Sequence, residues 1–187
     1  MLLKGLRYVA WAITGAAVLV YLAMVFVTLP HLAAITRGEL VFDLRPLGYD
    51  FGIAQEILSR LGTDGAAYYE NVQHRLDSAF PLLACLALLY WVIVAGRRWQ
   101  GSRLPLPGPV LAAILATVVI ANAADLGENA GVSAMLAVGP KGLTPGLVEA
   151  ASFFTKAKTF FSTIAYVSLI VLALGPWVVQ LLKRMRP

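Results

Sequence analysis

The sequence is poor in charge. Only 13% of its 187 residues are Asp, Glu, Lys or Arg, 59% are hydrophobic, and the mean hydropathy is +0.77. Soluble domains carry about a quarter charged residues. A chain this apolar has no means of solvating its surface in water, which excludes the soluble globular, disordered and collagen-like classes. Cysteine is nearly absent. Cys85 stands alone inside an apolar run, which rules out an intramolecular disulfide and paired-cysteine redox chemistry. The two histidines, His31 and His74, are too few and too far apart for a zinc motif. No metal site is expected and no cofactor is identified. Internal repeats, low-complexity tracts and long linkers are also missing, so a single domain over residues 1–187 is expected.

What the chain does have is four charge-free runs: Tyr8–Leu29, Ser78–Gly96, Leu104–Ala124 and Thr159–Leu182. A helix needs roughly 20 apolar residues to cross a hydrocarbon core of about 30 Å. Lipid offers no partner to an unpaired backbone group, so these runs must be helices. The expected fold is an all-α integral membrane protein with four transmembrane helices at about 8–30, 78–96, 104–129 and 155–182. The first run follows Lys4 and Arg7 as a signal peptide would, yet it is longer than a secretory apolar region and lacks a small-residue cleavage site. It reads as a retained span.

Charge sets the orientation. Lys4, Arg7, Arg97, Arg98, Arg103, Lys183, Arg184 and Arg186 all fall on one side of the spans, with no acidic residue among them. All ten acidic residues lie on the other side or within the spans, beside seven basic ones. Basic residues favour the cytoplasmic side, which predicts both termini in the cytoplasm of a multi-pass protein of the cell (inner or plasma) membrane. The net charge of +5 therefore calls for no nucleic-acid partner. Trp99 and Trp177, with Trp11 nearby, suit the aromatic belt on that side.

Residues 31–77 predict a helical cap on the extracytoplasmic side. Asp50 is placed to cap a helix burying Phe51, Ile53, Ala54, Ile57, Leu58 and Leu61, spaced for one apolar face, with Gly62 as its stop. Thr63 is placed to cap a second helix whose stripe is Tyr68, Tyr69, Val72 and Leu76, and Pro81 is expected to kink it. Gly139-Pro140-Lys141-Gly142 ends the third helix, and Thr144-Pro145 opens the fourth. A helix from Pro145 to Leu182 would be roughly 57 Å long, more than a bilayer requires. The helices should therefore project from the membrane as a four-helix bundle.

On a wheel with 100° steps, Asn122, Asn129, Asp125 and Glu128 share an arc of about 120°. The opposite arc carries Ala112, Ala116, Ala123, Gly127, Ala130 and Gly131, a stripe suited to close helix packing. The last span turns Thr155, Lys158, Thr159, Ser162, Thr163 and Tyr166 to one face, with Lys158 at the depth of Asp125 and Glu128. Asp77 and His31 come from the other spans to the same outer-boundary layer.

The bland alternative is a salt bridge from Lys158 to Asp125 or Glu128 that sets helix register. Ionisable groups at membrane depth are costly, however, and tend to mark reactive sites or pathways. Asp125, Glu128 and Asp77 are the candidate acid–base groups, since close carboxylates separate into an acid and a base. Asn122, Asn129, Lys158, Thr159 and His31 are the candidate substrate-binding groups. His74 is a weaker base candidate. Arg45 and Arg75 suit either a lipid phosphate or plain solvation.

The expected activity is binding or transforming a membrane lipid or lipid-like amphiphile at the outer leaflet. An accessory or assembly subunit, engaging a membrane partner or a second copy, is the alternative. A transporter would need an oligomer, because the inner halves of the spans offer no polar relay. Two aspartates from different spans near the outer face resemble the layout of the lipoprotein signal peptidase, a four-span aspartyl protease. The Asn-rich and Gly-Asn-x-x-Asp-Arg-type motifs of that family are absent, so the likeness is one of arrangement and implies no membership.

Overall fold

The computed structural model describes residues 2–100 and 105–184. Arg103, Leu104 and Arg186 fall outside the described residues, as do the side chains of Lys4, Lys183 and Arg184. The chain is all helical: α1 (Leu2–Ala23), a π turn (Met24–Thr28), α2 (Leu29–Ile35), a short 3-10 turn (Phe42–Leu44), α3 (Phe51–Tyr68), a second π turn (Tyr69–Gln73), α4 (His74–Gln100), α5 (Gly108–Gly142) and α6 (Pro145–Arg184). Four helical runs, Gly5–Ile35, Phe51–Trp99, Gly108–Gly142 and Pro145–Val179, are long and apolar enough to cross a membrane. This is the architecture of a multi-pass membrane protein. Leu19, Phe26, Phe160, Val167, Ile170 and Val171 turn outward, an arrangement that costs nothing when the solvent is lipid.

The boundary chemistry follows the local signals. The Asp50 carboxylate accepts the Ile53 amide at 2.8 Å and so caps α3. Gly62 (φ 59°) breaks α3 where a stop is expected, and Gly139 (φ 65°) interrupts the end of α5. Thr144 and Pro145 start α6, with the Thr144 hydroxyl accepting the Leu147 amide at 3.4 Å. The third span begins at Gly108, later than expected. Pro107 is extended (ψ 138°) and Leu106 before it is non-helical, since a proline disfavours helical geometry in the preceding residue.

Two cores sit at opposite ends of the molecule. The larger joins Leu32 of α2, Phe42 and Tyr49 of the following loop, Ala54, Ile57, Leu58 and Leu61 of α3, Val132 and Met135 of α5, and Val148 and Ala151 of α6. Each large side chain buried there contributes about 1.5–3 kcal/mol. Through this core the loop and α3 within segment 31–77 pack on α5 and α6. The smaller core, near the termini, gathers Val92, Ala95 and Leu172 with Trp99, Leu111, Ile114, Leu115 and Leu169. Trp99, partly buried, packs on this core: its indole lies against Gly175 and donates to the Leu172 carbonyl at 2.8 Å.

Packing departs from a symmetric bundle. α5 and α6 share the most extensive seam, α4 packs on both, and α1 packs on α4 without a comparable seam to α5 or α6. The seam between α5 and α6 is close because Gly127 faces Phe154 and Gly131 faces Ala151; a Cβ on Gly131 would stand 2.7 Å from the Ala151 Cβ. Ala112, Ala116, Ala123 and Ala130 face outward. The packed face of α5 is thus the polar arc with its flanking glycines, and not the alanine stripe. Carboxylates at this depth gain from a buried cation, whereas alanines lose nothing against lipid.

Candidate functional site

Between the two cores lies a layer of buried polar groups. Glu128 is 1%, Asn129 4%, Asp77 6% and Asp125 7% exposed. Lys158 reaches from α6 to both α5 carboxylates, with Nζ 2.9 Å from Asp125 Oδ1 and 2.7 Å from Glu128 Oε2. The other Glu128 oxygen accepts the Thr155 hydroxyl at 2.7 Å. One ammonium and one hydroxyl therefore lock the α5 pair to α6. Buried charge at this depth persists only when so paired.

Asp77 differs. Among the described residues its carboxylate makes no ion pair or hydrogen bond, although it lies within electrostatic reach of Lys158, Asp125 and Asp43. Its backbone carbonyl is engaged: Asn129 Nδ2 donates to it at 2.9 Å. Pro81, four residues on, has no N–H to give that carbonyl, and the Asn129 amide fills the vacancy.

The expected binding residues divide. Asn122, Asn129 and Lys158 join the layer. Thr159 does not, because Thr155 supplies the hydroxyl; Thr159 instead offers its backbone carbonyl to Ser162 and Thr163. His31 does not either. It is exposed, with its ring 4.3 Å from that of Tyr68. The π turn at Met24–Thr28 adds a residue to one turn and so rotates everything after it, which places Thr28 inward and His31 outward. Arg45 is tied to Glu39 and to the Leu40 carbonyl, and Arg75 is exposed.

A second set of polar groups was not legible beforehand. Asp43, in the loop, accepts the Tyr69 hydroxyl at 2.7 Å and Gln73 Nε2 at 2.8 Å, while Gln73 Oε1 accepts the Thr28 hydroxyl. The two π turns thus join at Gln73, which ties the first of them to Asp43. The second turn also moves the inward position from Val72, which is exposed, to Gln73, which is fully buried. The polar composition of Tyr69–Gln73 was a signal only in retrospect, since helical periodicity presumes an unbroken α register. Next to this network Tyr49 is held by its amide on the Ser152 hydroxyl at 3.0 Å. Burial, reinforced by the charges of Glu128 and Asp43, holds its phenol well above the usual tyrosine range, so it stays neutral.

The layer opens into a cavity of about 100 Å³ whose polar wall is Asn122, Asp125, Lys158, Ser162 and Tyr166. Asn122 Oδ1 is buried there without a partner. The apolar wall includes Phe80, Ala84, Cys85 and Leu88. Phe80, Ala84, Leu88 and Tyr166 also line a groove of about 480 Å³ between α1, α4 and α6, completed by Thr14, Ala17, Val18, Tyr21, Ala87, Trp91 and Leu169. The groove exists because α1 packs chiefly on α4. Tyr21 meets Phe80 near one end (ring centroids 5.7 Å apart), and Trp91 donates to the Thr14 hydroxyl at 2.9 Å near the other. The eight residues from Thr14 to Tyr21 span about 10 Å of helix.

Chemically, a polar pocket with three nearby carboxylates and one ammonium stands at the head of an apolar trough. No group of three or more His, Cys, Asp and Glu among the described residues has metal-binding geometry. Comparison of the chain with family models, with curated proteins and with solved structures finds no match to any of them.

Proposed function

We propose that this protein binds an amphipathic molecule, a membrane lipid or a lipid-like compound, with its chain along the α1–α4–α6 groove and its head group in the cavity at Asn122, Asp125 and Lys158. One observation supports the proposal: cavity and groove adjoin at Phe80, Ala84, Leu88 and Tyr166, which line both, so the apolar groove lies directly beside the pocket that holds the buried ions. Pockets lined mainly by apolar groups with a few converging polar ones are the usual form of small-molecule sites. Asp125 and Glu128, bridged by Lys158, with Asp77 beside them, are the acid–base groups for any proton transfer to the bound head group. By the distribution of basic residues, both termini are cytoplasmic, and the 31–77 cap covers the extracytoplasmic end. The site then opens to the outer leaflet of the cell (inner or plasma) membrane.

Against a conduit stands the dry core around Val92, Ala95 and Leu172, which fills the terminal end of the helices. A second reading, a subunit that docks on a membrane partner or on its own copy, draws on the outward-facing alanines of α5.

The test is native mass spectrometry of protein released from mild detergent, beside Ala84→Leu, which narrows the junction of cavity and groove without touching a charged group. The wild type should carry a discrete bound amphiphile that the variant loses while keeping its melting temperature. Bare wild-type protein, or a stoichiometric protein partner in place of a small molecule, would favour the subunit role.

A further inference from the structure

We infer that the head group taken by this cavity is a primary ammonium and not a phosphate or other anion. The inference rests on the amphiphile site proposed above and concerns what that site selects.

The first support is charge balance. Lys158 is the cationic side chain on the cavity wall, and it is already held by Asp125 at 2.9 Å and Glu128 at 2.7 Å. Asp77, more than nine-tenths buried, adds a third carboxylate with neither a hydrogen bond nor an ion pair among the described residues. An entering anion would find the Lys158 ammonium already shared between two carboxylates. An entering cation would find an unsatisfied carboxylate close by, in surroundings where charges interact far more strongly than in water.

The second support is hydrogen-bond sense. Asn122 Oδ1 is a buried acceptor without a donor. The Ser162 hydroxyl spends its proton on the Lys158 carbonyl at 2.6 Å, leaving its oxygen as an acceptor. With the Asp125 carboxylate, three acceptors stand on the cavity wall, beside the Asn122 amide N–H groups and the Tyr166 hydroxyl, and of these Asn122 Oδ1 is the buried one that lacks a donor. An ammonium brings three N–H donors, whereas a phosphate dianion brings none.

Cys85, the chain's single cysteine, lies in the cavity wall and supplies the readout. The protein in uncharged detergent is treated with methyl methanethiosulfonate, a small, neutral, thiol-specific reagent, in the presence of dodecylamine, dodecanol or dodecyl phosphate. These probes share one chain and differ in the head. Dodecylamine should slow modification of Cys85 at least about tenfold more than dodecyl phosphate, which corresponds to about 1.4 kcal/mol of preference. Asp77→Asn, which removes the group able to ionise against a bound cation but no hydrogen bond, should cut that preference several-fold. Nanodiscs of ethanolamine phospholipid against choline phospholipid then identify the source. Protection by the former means that the ammonium comes from a membrane lipid, and protection by dodecylamine alone means a free amine.

Equal or greater protection by dodecyl phosphate or dodecanol would overturn the head-group inference and leave the amphiphile site standing. Ready modification of Cys85 with no protection by any of the three would overturn the site itself.

Discussion

Lys158 holds two carboxylates that have no other cation in reach among the described residues, and the consequences of removing it follow from that asymmetry. Lys158→Met leaves Asp125 and Glu128 buried and unpaired, at a cost of about 3–5 kcal/mol. Thermal unfolding in detergent should show a large fall in Tm. The triple variant Lys158→Met, Asp125→Asn, Glu128→Gln should recover most of it, because neutral amides no longer need the ammonium. A Lys158→Met protein as stable as the wild type would mean that the pair is not built as described. This part of the site was legible in the sequence: helical spacing put Asp125, Glu128, Asn122 and Asn129 on one arc, and matched depth brought Lys158 to them. Asp43 was not, because a loop residue has no periodicity from which to infer its direction. Thr155 rather than Thr159 supplies the hydroxyl for a related reason. Spacing gives the face of a helix, but the partner's position decides which residue on that face is reached.

At the scale of elements, two prolines inside spans leave carbonyls without a helical donor, and in both cases a neighbouring helix supplies one. Pro81 frees the Asp77 carbonyl for Asn129, and Pro176 frees the Leu172 carbonyl for Trp99. Prolines in spans are tolerated where neighbours restore such bonds. The Asn129 contact is therefore conditional on Pro81. In a double-mutant cycle scored by thermal unfolding, Asn129→Ala should cost about 1 kcal/mol more in the wild type than in a Pro81→Ala background, where the substituted position regains an amide to give the Asp77 carbonyl. Additive effects would separate the two residues. Proline marks a break in a sequence, but not which helix answers it. The π turns were illegible for a sharper reason. Nothing in local propensity distinguishes one added residue in a long apolar helix, yet that residue turns His31 outward and exchanges Val72 for Gln73 in the interior.

The whole molecule is layered: an apolar core under the cap, a polar layer, and an apolar core near the termini, with a groove where α1 stands apart from α6. The proposed topology, with both ends of the four candidate spans in the cytoplasm, rests on the basic residues near those ends. A green fluorescent protein fused at the C-terminus should fluoresce, and alkaline phosphatase fused there should be inactive. The same reporters inserted at Gly38, in the loop beyond α2, should behave in the opposite way. Active phosphatase at the C-terminus would invert the topology and turn the polar layer toward the inner leaflet.

The number of spans, their composition and the depth at which charges gather were determined by the sequence alone. They depend on how many apolar residues a bilayer demands and on where, along a span, polar ones interrupt them. The caps at Asp50, Gly62 and Thr144 were local in the same sense, since each is satisfied within a few residues of itself. Only the tertiary structure decided which helices touch, that the glycines of α5 face α6 while its alanines face outward, and that an apolar groove adjoins the polar layer. Those outcomes depend on side chains from distant segments competing for the same space, and on two extra residues in π turns that reset the direction of everything beyond them.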